Sequence, residues 1–393
     1  MRSRRVGIVL KTGAGGMWIL PQIAALRARS AEVVVVVPDE GGRLTDALAE
    51  RAREDEGVVI HRTPYRFSLR PSPGNLAALV RFRGELRALQ LDAVLYHLYA
   101  STLATRFALG GRGVRRVQMV AGPLHLESRA IRAVERLLHR ADHAIICGSG
   151  AIERIYRGLG AAPHRLRTIP YGVDTAAFRP EGVRARRRAR KALGVADDAF
   201  LAVMVAFVYA PKGMVHRGRG IKGHEDLLAA WRGFAEDHPE ARLVIVGGGF
   251  RPEGERYREE IVARAGGDLG AMNVTWLDTV REVGEIYAAA DLSVSPSLSE
   301  NHGAALEASS MAVPSVVSDA GGLPETVSVG ETGWIVEAGN PADLRHGLEQ
   351  AHAAWREGRL RAMGEHARAR AVERFDSTAS SGRVADVVLE GLG

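Results

Sequence analysis

The stretch from Ser297 to Ser309 combines glycine, carboxylates and small residues at a spacing suited to binding a phosphate. It follows an apolar, strand-like run, and a predicted helix begins near Gly303, where backbone N–H groups can hold an anion. Glu307 lies about one turn into that helix. A carboxylate beside a phosphate needs other partners, and Glu300 and Glu307 can accept hydrogen bonds from sugar hydroxyls. The pattern therefore predicts a site for a phosphorylated, hydroxyl-rich ligand.

A second loop, from Pro211 to His224, contains several cations among four glycines. Glycines let such a loop bend closely, and lysine or arginine supplies the charge that a phosphate needs. The loop precedes a predicted helix over residues 225–237. We therefore predict that Lys222 and one arginine bind phosphate, and both Arg217 and Arg219 remain candidates for that arginine.

A third loop, Lys11 to Gly16, follows the first predicted strand and precedes a helix. Gly15 and Gly16 would let the backbone approach an anion. The alternative is a dinucleotide-binding fingerprint, but its third glycine would fall on Trp18, where close helix packing is needed. An NAD-binding function is therefore disfavoured.

Two further residues have a functional and a structural interpretation. His125 follows the predicted strand 117–120, where it can bind a sugar hydroxyl or buffer charge, although a single histidine is more often structural. Cys147 is the only cysteine and lies in an apolar run, so we expect it in the core and not as a nucleophile. The absence of disulfides favours a reducing, cytoplasmic location.

The elements that must position these loops form a repeated strand and helix pattern. Short, continuous apolar runs separated by amphipathic segments are typical of parallel sheets covered on both faces. The predicted strands are 6–10, 33–37, 58–61, 93–96, 117–120, 144–147, 201–207, 243–246, 274–277, 292–295 and 315–317. Ligands collect at the carboxyl ends of such strands. The predicted fold class is α/β, with two Rossmann-like, doubly wound domains facing across a cleft.

The length of 393 residues also favours two domains. We assign residues 1–180 to a first domain and 181–372 to a second. Residues 373–393 are predicted to form a helix that returns to the first domain. From Pro341 onward the pattern is helical, with breaks expected at Gly358 and Gly364.

Charge is distributed unevenly along the chain. The net charge of +7 divides into +13 through residue 185 (29 Lys and Arg against 16 Asp and Glu) and −6 for the remainder (24 against 30). A basic first domain suits a phosphorylated acceptor or an acidic membrane surface, and an arginine-rich solvated surface is the alternative. The arginines concentrate at Arg62, Arg66, Arg70, Arg81, Arg83 and Arg87. The longest apolar run, Ala199 to Pro211, is too short for a membrane-spanning helix.

Together these motifs resemble glycosyltransferase family 4, the retaining enzymes with the two-domain GT-B fold. In the second half the resemblance runs through Lys222-Gly223-His224, Val246 to Gly249, Ala289-Ala290-Asp291, Pro296 to Glu307, Gly321 to Glu325 and Glu331-Thr332-Gly333. In the first half it includes Gly13 to Gly16 and an interdomain segment, Ile169 to Asp174.

The resemblance implies that residues 1–180 form an acceptor-binding domain and residues 181–372 a nucleotide-sugar-binding domain. It also implies a role for each candidate residue. Lys222 and a preceding arginine would bind the donor phosphates, Glu307 the ribose, and Glu300 the transferred sugar. The Gly303 backbone would bind a phosphate, and His125 matches an active-site histidine near the donor sugar. The remaining predicted donor-site residues are Gly15, Gly16, Asn301, His302 and Ala304.

Two positions depart from the family pattern. Six residues separate Glu300 from Glu307, whereas the family usually has seven. One residue on a helix rotates a side chain by about 100°, so the loop must absorb the difference. The family's arginine usually stands at the strand end, where this chain has Phe207.

The predicted function is retaining transfer of a sugar from a nucleotide diphosphate sugar, with UDP preferred and GDP as the alternative. The acceptor would be a small natural product, such as an aminocyclitol or a glycoside, and no nucleic acid is involved. No D-x-D motif stands where a metal would bridge the diphosphate, so no metal or other cofactor is expected. One alternative is transfer to a membrane lipid or envelope precursor, with peripheral membrane contact through the basic domain. An alternative of another class is an NAD-dependent or ligand-binding Rossmann protein.

Overall fold

The computed structural model of this chain describes residues 3–68, 72–111, 113–211, 213, 215–216 and 218–392. The strands are β1 (Arg5–Val9), β2 (Glu32–Pro38), β3 (Val58–Thr63), β4 (Ala93–His97), β5 (Arg115–Val120), β6 (Ala144–Cys147), β7 (Leu166–Thr168), β8 (Phe200–Val205), β9 (Ala241–Val246), β10 (Val274–Leu277), β11 (Leu292–Ser295), β12 (Ser315–Ser318) and β13 (Gly333–Val336).

The α-helices alternate with these strands until the C-terminal region, which is helical. They are α1 (Leu20–Arg27), α2 (Arg43–Glu54), α3 (Pro73–Ala88), α4 (Tyr99–Leu109), α5 (Arg129–Leu138), α6 (Gly150–Gly158), α7 (Val183–Ala192), α8 (His224–Asp237), α9 (Arg251–Arg264), α10 (Val283–Ala289), α11 (Ala304–Ser310), α12 (Pro341–Arg356), α13 (Leu360–Phe375) and α14 (Ser377–Leu389).

Internal contacts divide the chain into two units. Unit 1 comprises the described residues of 1–121, 125–171 and 377–393, and unit 2 comprises those of 122–124 and 172–376. The domain boundaries predicted at 180/181 and 372/373 stay predictions, and the contact division lies within nine residues of each.

Unit 1 is built on a seven-stranded parallel sheet in the order β3-β2-β1-β4-β5-β6-β7. Strand β2 shows why the sheet forms here: its five consecutive valines are all fully buried, as expected for a strand covered on both faces. Helix α14 packs in the same unit, where Val384, Ala385 and Val388 join the core. An ion pair of 2.7 Å between Arg29 Nε and Asp386 Oδ1 lies at its rim.

Unit 2 contains a six-stranded parallel sheet in the order β10-β9-β8-β11-β12-β13. Its largest core side chain is Trp231 on α8, which is fully buried and donates from Nε1 to the carbonyl of Met272. Helix α12 completes the core through Leu344, Leu348 and Ala351.

Each sheet has one point where the strand order reverses, and that point lies beside the first strand of the unit. In unit 1 it falls between β1 and β4, and in unit 2 between β8 and β11. Loops leaving the carboxyl ends of two such strands diverge and create a crevice for a ligand. The loops after β8 and β11 carry Lys222 and Glu300, so this rule gives them a common location.

Three local predictions were wrong. The strand predicted over 201–207 ends at Val205, and Phe207 is 43% exposed. The edge strands β7 and β13 were not predicted. Gly364 does not break the C-terminal helices: it lies inside α13, whereas the predicted break at Gly358 separates α12 from α13.

Candidate active site

A largely buried ion pair between Lys222 and Glu300 forms the centre of the candidate site in unit 2. Lys222 Nζ contacts Glu300 Oε2, and only 18% of each side chain is exposed. The two residues are 78 positions apart and follow the neighbouring strands β8 and β11. The reversal of strand order between β8 and β11, here called the switch point of unit 2, thus brings together two charged residues that the sequence predicted in separate loops.

The environment keeps both members of this pair charged. Burial alone would raise the pKa of Glu300, but the Lys222 ammonium and the N–H of Asn301 hold that pKa below its usual range. Asn301 N donates to Glu300 Oε1 at 3.0 Å. Burial likewise opposes the charge on Lys222, yet the Glu300 carboxylate raises the pKa of the ammonium. The site therefore holds a fixed positive charge and a hydrogen-bond acceptor side by side.

Gly303 supports this arrangement from the start of α11. Its φ of 48° lies in the left-handed region, and a Cβ there would come within 3.0 Å of the Glu300 carboxylate. Glycine is therefore required both for the backbone conformation and for the position of Glu300. The helix that follows starts at Ala304, next to the predicted start near Gly303.

Glu307 lies one turn further along α11, and the hydroxyl of Tyr287 on α10 hydrogen-bonds to it. Burial raises the pKa of Glu307 to about 7, and the tyrosine donor offsets only part of that rise. The same hydroxyl lies 3.2 Å from the carbonyl oxygen of Ala304, so that carbonyl and Glu307 compete for its single proton. Glu307 is thus positioned by a neighbouring helix, with its carboxyl poised between protonated and ionised forms at neutral pH.

Arg219 is engaged within unit 2. Its guanidinium contacts the buried Asp226 of α8, while 39% of the arginine side chain stays exposed. Arg217, the other arginine candidate, lies outside the described residues. The choice between the two for phosphate binding therefore remains as the sequence left it.

Asn301 and His302 are both buried in the loop before α11. The ring of His302 packs edge-on to Phe375, with centroids 5.3 Å apart, and Nε2 lies 3.7 Å from Glu325 Oε2. These contacts indicate that His302 holds the loop, whereas Asn301 contributes its N–H to Glu300. Ala304 is the first residue of α11 and is half-buried.

The glycine loop of unit 1 is organised around Glu40. Its Oε1 accepts from the N–H of Gly13 at 2.9 Å and from the hydroxyl of Thr12 at 2.7 Å. Gly15 is exposed, and Gly16 adopts a left-handed conformation before a 3-10 turn over Met17–Ile19. A carboxylate already occupies the Gly13 end of the loop, so anion binding would fall to Gly15 and Gly16.

His125 also lies in unit 1, in a 3-10 turn over Leu124–Glu127. Its ring stacks on Tyr99 at 4.8 Å, and its buried Nε2 has no hydrogen-bond partner among the described residues. Burial lowers the pKa of His125 to about 4, so the imidazole is neutral at neutral pH. A neutral ring with an unused nitrogen suits exchange of a hydrogen bond with a substrate hydroxyl.

Three residues of the site were missed in the sequence. Tyr287 positions Glu307, Asp226 holds Arg219, and Tyr209 lies beneath the Lys222 ammonium, 5.9 Å from nitrogen to ring centroid. Tyr209 follows β8, so an aromatic residue in a strand-end loop was an available signal. Tyr287 and Asp226 sit on helices with ordinary amphipathic patterns, and nothing local distinguishes them.

Trp18, which argued against dinucleotide binding, packs tightly in unit 1. Its ring lies 4.6 Å from His97 and 4.5 Å from Tyr171, measured between centroids. The position where the fingerprint needs a glycine for close helix packing therefore holds a large ring packed between two aromatic side chains. Cys147 is fully buried, and burial raises its thiol pKa to about 12, which fits the predicted core role.

Comparison with known proteins agrees with this architecture. A family model described as "Glycosyltransferase Family 4" matches residues 19–177, and one described as "Glycosyl transferases group 1" matches residues 213–370. A crystal structure of Anabaena Alr3699/HepE in complex with UDP and glucose superposes with a TM-score of 0.78. It is 18% identical in sequence and covers 98% of this chain and 99% of that one. The chain thus has the two-domain α/β fold called GT-B.

Relatives with similar sequences identify the family of this chain more closely than the fold does. A D-inositol 3-phosphate glycosyltransferase of Segniliparus rotundus is 35% identical over 341 residues, covering 84% of this chain and 69% of that protein. A protein of the same name from Corynebacterium jeikeium is 30% identical over 226 residues, covering 56% of this chain and 51% of its own length. The chain thus spans about half the length of the latter relative. The chain belongs to glycosyltransferase family 4.

Proposed function

We propose that this protein transfers a hexosyl group from a nucleotide diphosphate sugar to a hydroxyl of a small polar acceptor, with retention of configuration. The observation that carries the proposal is the buried Lys222–Glu300 pair at the switch point of unit 2. A sugar diphosphate needs a cation for its phosphates and an acceptor for its hydroxyls, and this pair offers both.

The chemistry follows from where charge develops. As the bond between the sugar and the diphosphate breaks, negative charge accumulates on the leaving phosphate oxygens. A cation already held in a poorly hydrated position stabilises that charge without having to reorganise, which is worth several kcal/mol, roughly 3 to 4 for one donor. Lys222 supplies the cation, and the N–H groups following Gly303 supply further donors. The departing diphosphate can take the proton of the acceptor hydroxyl.

The remaining groups fit the rest of the donor. Glu307 accepts from the ribose hydroxyls, and its raised pKa falls when those hydroxyls donate to it. Glu300 accepts from the transferred sugar while remaining paired with Lys222. An arginine, either Arg217 or Arg219, completes the phosphate contacts, and Arg219 would have to exchange Asp226 for phosphate.

No metal is required in this proposal, because Lys222 and the arginine carry the positive charge that a metal would otherwise provide. Undiminished transfer after exhaustive chelation is the expected result. A UDP-sugar is the proposed donor, since the similar Anabaena protein was crystallised with UDP and glucose. GDP-sugars are the alternative.

The proposed acceptor is a phosphorylated cyclitol. The relatives with matching sequences are named for D-inositol 3-phosphate, which is a small cyclitol bearing an anionic group. The net charge of +13 through residue 185 favours an anionic acceptor over a cationic aminocyclitol or a neutral glycoside. The neutral imidazole of His125 would exchange a hydrogen bond with a substrate hydroxyl.

The proposal is tested by calorimetry with UDP-sugars and GDP-sugars, followed by transfer assays with inositol phosphate and unphosphorylated inositol. We expect UDP-sugar binding that Glu307→Ala weakens, and transfer whose turnover Lys222→Ala depresses. His346→Gln is the matched control, because His346 is an exposed residue of the same unit on α12. Wild-type binding and turnover in both site variants would overturn the site assignment.

A membrane-lipid acceptor is the second candidate, favoured by the surface of α5 in unit 1. Val134, Leu137 and Leu138 are exposed on this helix, at 48%, 65% and 37%, beside Arg132 and Arg136. A basic helix with exposed apolar side chains is typical of binding at a membrane surface. Among the described residues, every helix is too short or too polar to cross a bilayer.

Flotation with anionic and neutral vesicles tests this candidate. Binding to anionic vesicles that weakens with salt and is lost in Leu137→Gln would favour a lipid acceptor. Equal recovery of protein in the unbound fraction with both vesicle types would exclude it. The cytoplasmic location stays a prediction.

A further inference from the structure

A cluster of two histidines and carboxylates lies in unit 2, at the opposite end of the sheet from Lys222 and Glu300. His238 ends α8, Glu240 immediately precedes β9, and His352 projects from α12. The candidate ligand atoms of these three residues all lie within 4.8 Å of one another. Since Glu240 precedes the amino end of β9 and the donor site follows strand carboxyl ends, this cluster has no part in the proposed sugar transfer.

The histidines and carboxylates of the cluster are already in contact with one another. His352 Nε2 lies 2.9 Å from Glu240 Oε1, and the rings of His238 and His352 are packed with centroids 4.0 Å apart. His238 Nε2 lies 2.7 Å from Oε2 of a further carboxylate, Glu349. Two imidazoles therefore lie side by side, and each of them contacts a carboxylate.

We propose that His238, Glu240 and His352 bind a divalent transition metal, with zinc as the preferred ion. Two histidines and one glutamate are a ligand set that zinc accepts, leaving a fourth position for water. Tetrahedral ligands about 2.0–2.1 Å from zinc lie roughly 3.4 Å apart, so the cluster needs adjustments of no more than about 1.5 Å. The Glu240 side chain is 35% exposed and is free to make them.

The surroundings match what a metal site requires beyond its ligands. Glu349 is held by Arg345, with 3.6 Å between Nε and Oε1, and contacts His238 as an outer carboxylate that orients a metal-binding imidazole. On the inner side, His352 packs against Phe200 and Trp355, with ring centroids 5.3 Å away in both cases. These aromatic side chains limit the access of solvent to His352 and fix the orientation of its imidazole.

The charge around the cluster also favours a cation. Asp237, Glu240 and Glu349 contribute three carboxylates, against the guanidinium groups of Arg345 and Arg242. Because the ligands come from three separate segments, a bound ion would tie α8, β9 and α12 together. The ion would therefore stabilise unit 2 and take no part in the chemistry at Lys222.

The test uses the full-length chain without a polyhistidine tag, stripped with a chelator and then titrated with zinc against a chromogenic competitor. We expect one zinc per chain and a thermal midpoint raised by about 5 °C at a hundredfold excess over Kd. His238→Gln and Glu240→Gln should each weaken binding by at least about tenfold. Cobalt should give the intense visible absorption of a tetrahedral site in the wild type and lose it in both variants.

His346→Gln is the control, since it removes an exposed histidine from the same helix, α12, without touching the cluster. His352 packs in an aromatic environment, so His238→Gln and Glu240→Gln, at half-buried positions, decide the test even if His352→Gln fails to fold. The proposal is overturned if the stripped wild type takes up no stoichiometric zinc. It is equally overturned if His346→Gln reduces binding as much as the cluster variants do.

Discussion

At Glu307, burial has shifted the protonation equilibrium of a carboxyl to the pH at which the protein would work. The pKa of about 7 belongs to the ligand-free protein, in which one tyrosine hydroxyl is the neighbour that lowers it. Ribose hydroxyls would stabilise the ionised form further, so a bound donor must lower this pKa. Donor binding and proton release are therefore coupled at this residue.

This coupling predicts a pH dependence for donor affinity. Below pH 7 the free protein holds a proton on Glu307 that binding must displace, so a UDP-sugar should bind about tenfold more weakly at pH 6 than at pH 8. Glu307→Gln should bind more weakly at pH 8 and show a flatter profile. Calorimetry in two buffers of different ionisation enthalpy measures the released proton directly. A wild-type affinity that is constant from pH 6 to 8 would contradict the ribose role.

The Lys222–Glu300 pair has a structural role as an ion pair and a catalytic role under the proposed function, and a double substitution separates the two. Lys222→Met leaves Glu300 as a largely buried, unpaired carboxylate, at a cost of roughly 2 kcal/mol in the free energy of unfolding. We also expect turnover to fall by about 100-fold or more, because the leaving diphosphate loses its cation. Adding Glu300→Gln should recover most of the stability but none of the turnover. Recovery of both in the double variant would mean that the lysine acts only through folding.

At the scale of elements, the apolar strands were predictable because buried parallel strands need continuous hydrophobic runs. β2, with its five valines, is the clearest example. β7 was missed because it contains only three residues, and the pattern of so short a strand is not distinctive. β13 is as long as the predicted strands β10 and β11, so its length does not explain why it was missed. Strand pairing was also not predictable, because no local pattern indicates that β8 lies beside β11. This pairing brings Lys222 and Glu300 together.

Gly364 shows how packing overrides local propensity. Glycine weakens a helix, which is why a break was expected there, but a Cβ at this position would lie 1.9 Å from the carbonyl oxygen of Ala312. The glycine therefore permits α13 to pack closely on the segment after α11. A glycine in a helical pattern can mark either a helix break or a close packing contact. The sequence alone does not show the neighbour in space, so these two explanations could not be separated beforehand.

This explanation predicts that Gly364→Ala destabilises unit 2, although alanine favours helices. The overlap with Ala312 should cost about 1–3 kcal/mol, seen as a lower thermal midpoint with unchanged donor affinity. Gly84, in the interior of α3, is the matched control because an added Cβ meets nothing within 4 Å. Gly84→Ala should raise stability by about 0.5–1 kcal/mol. Stabilisation by both substitutions would show that α13 has room for a side chain.

At the scale of the whole chain, the order of the strands explains how Lys222 and Glu300, far apart in sequence, come into contact. Two parallel sheets, each with a single reversal of strand order, leave one crevice per unit beside the first strand. The sequence showed which loops follow strands and which of them carry charge and glycine. It did not show Asp226 beside Arg219 or Tyr287 beside Glu307, because helix packing in three dimensions creates those contacts.

The uneven charge of the chain leads to a prediction about the acceptor. If the excess of +13 through residue 185 attracts a phosphorylated cyclitol, the acceptor KM should rise by about five- to tenfold between roughly 50 and 500 mM salt. The reason is that salt screens the attraction between the arginines and the phosphate. The KM for the UDP-sugar should change less, because the remainder of the chain carries a charge of −6 and, in the proposed function, would hold the donor through short-range contacts. Initial rates with inositol phosphate and with unphosphorylated inositol provide the comparison. The neutral acceptor should bind more weakly at every salt concentration, and its KM should show almost no salt dependence. Parallel salt profiles for the two acceptors would mean that the basic surface has a role other than acceptor recognition.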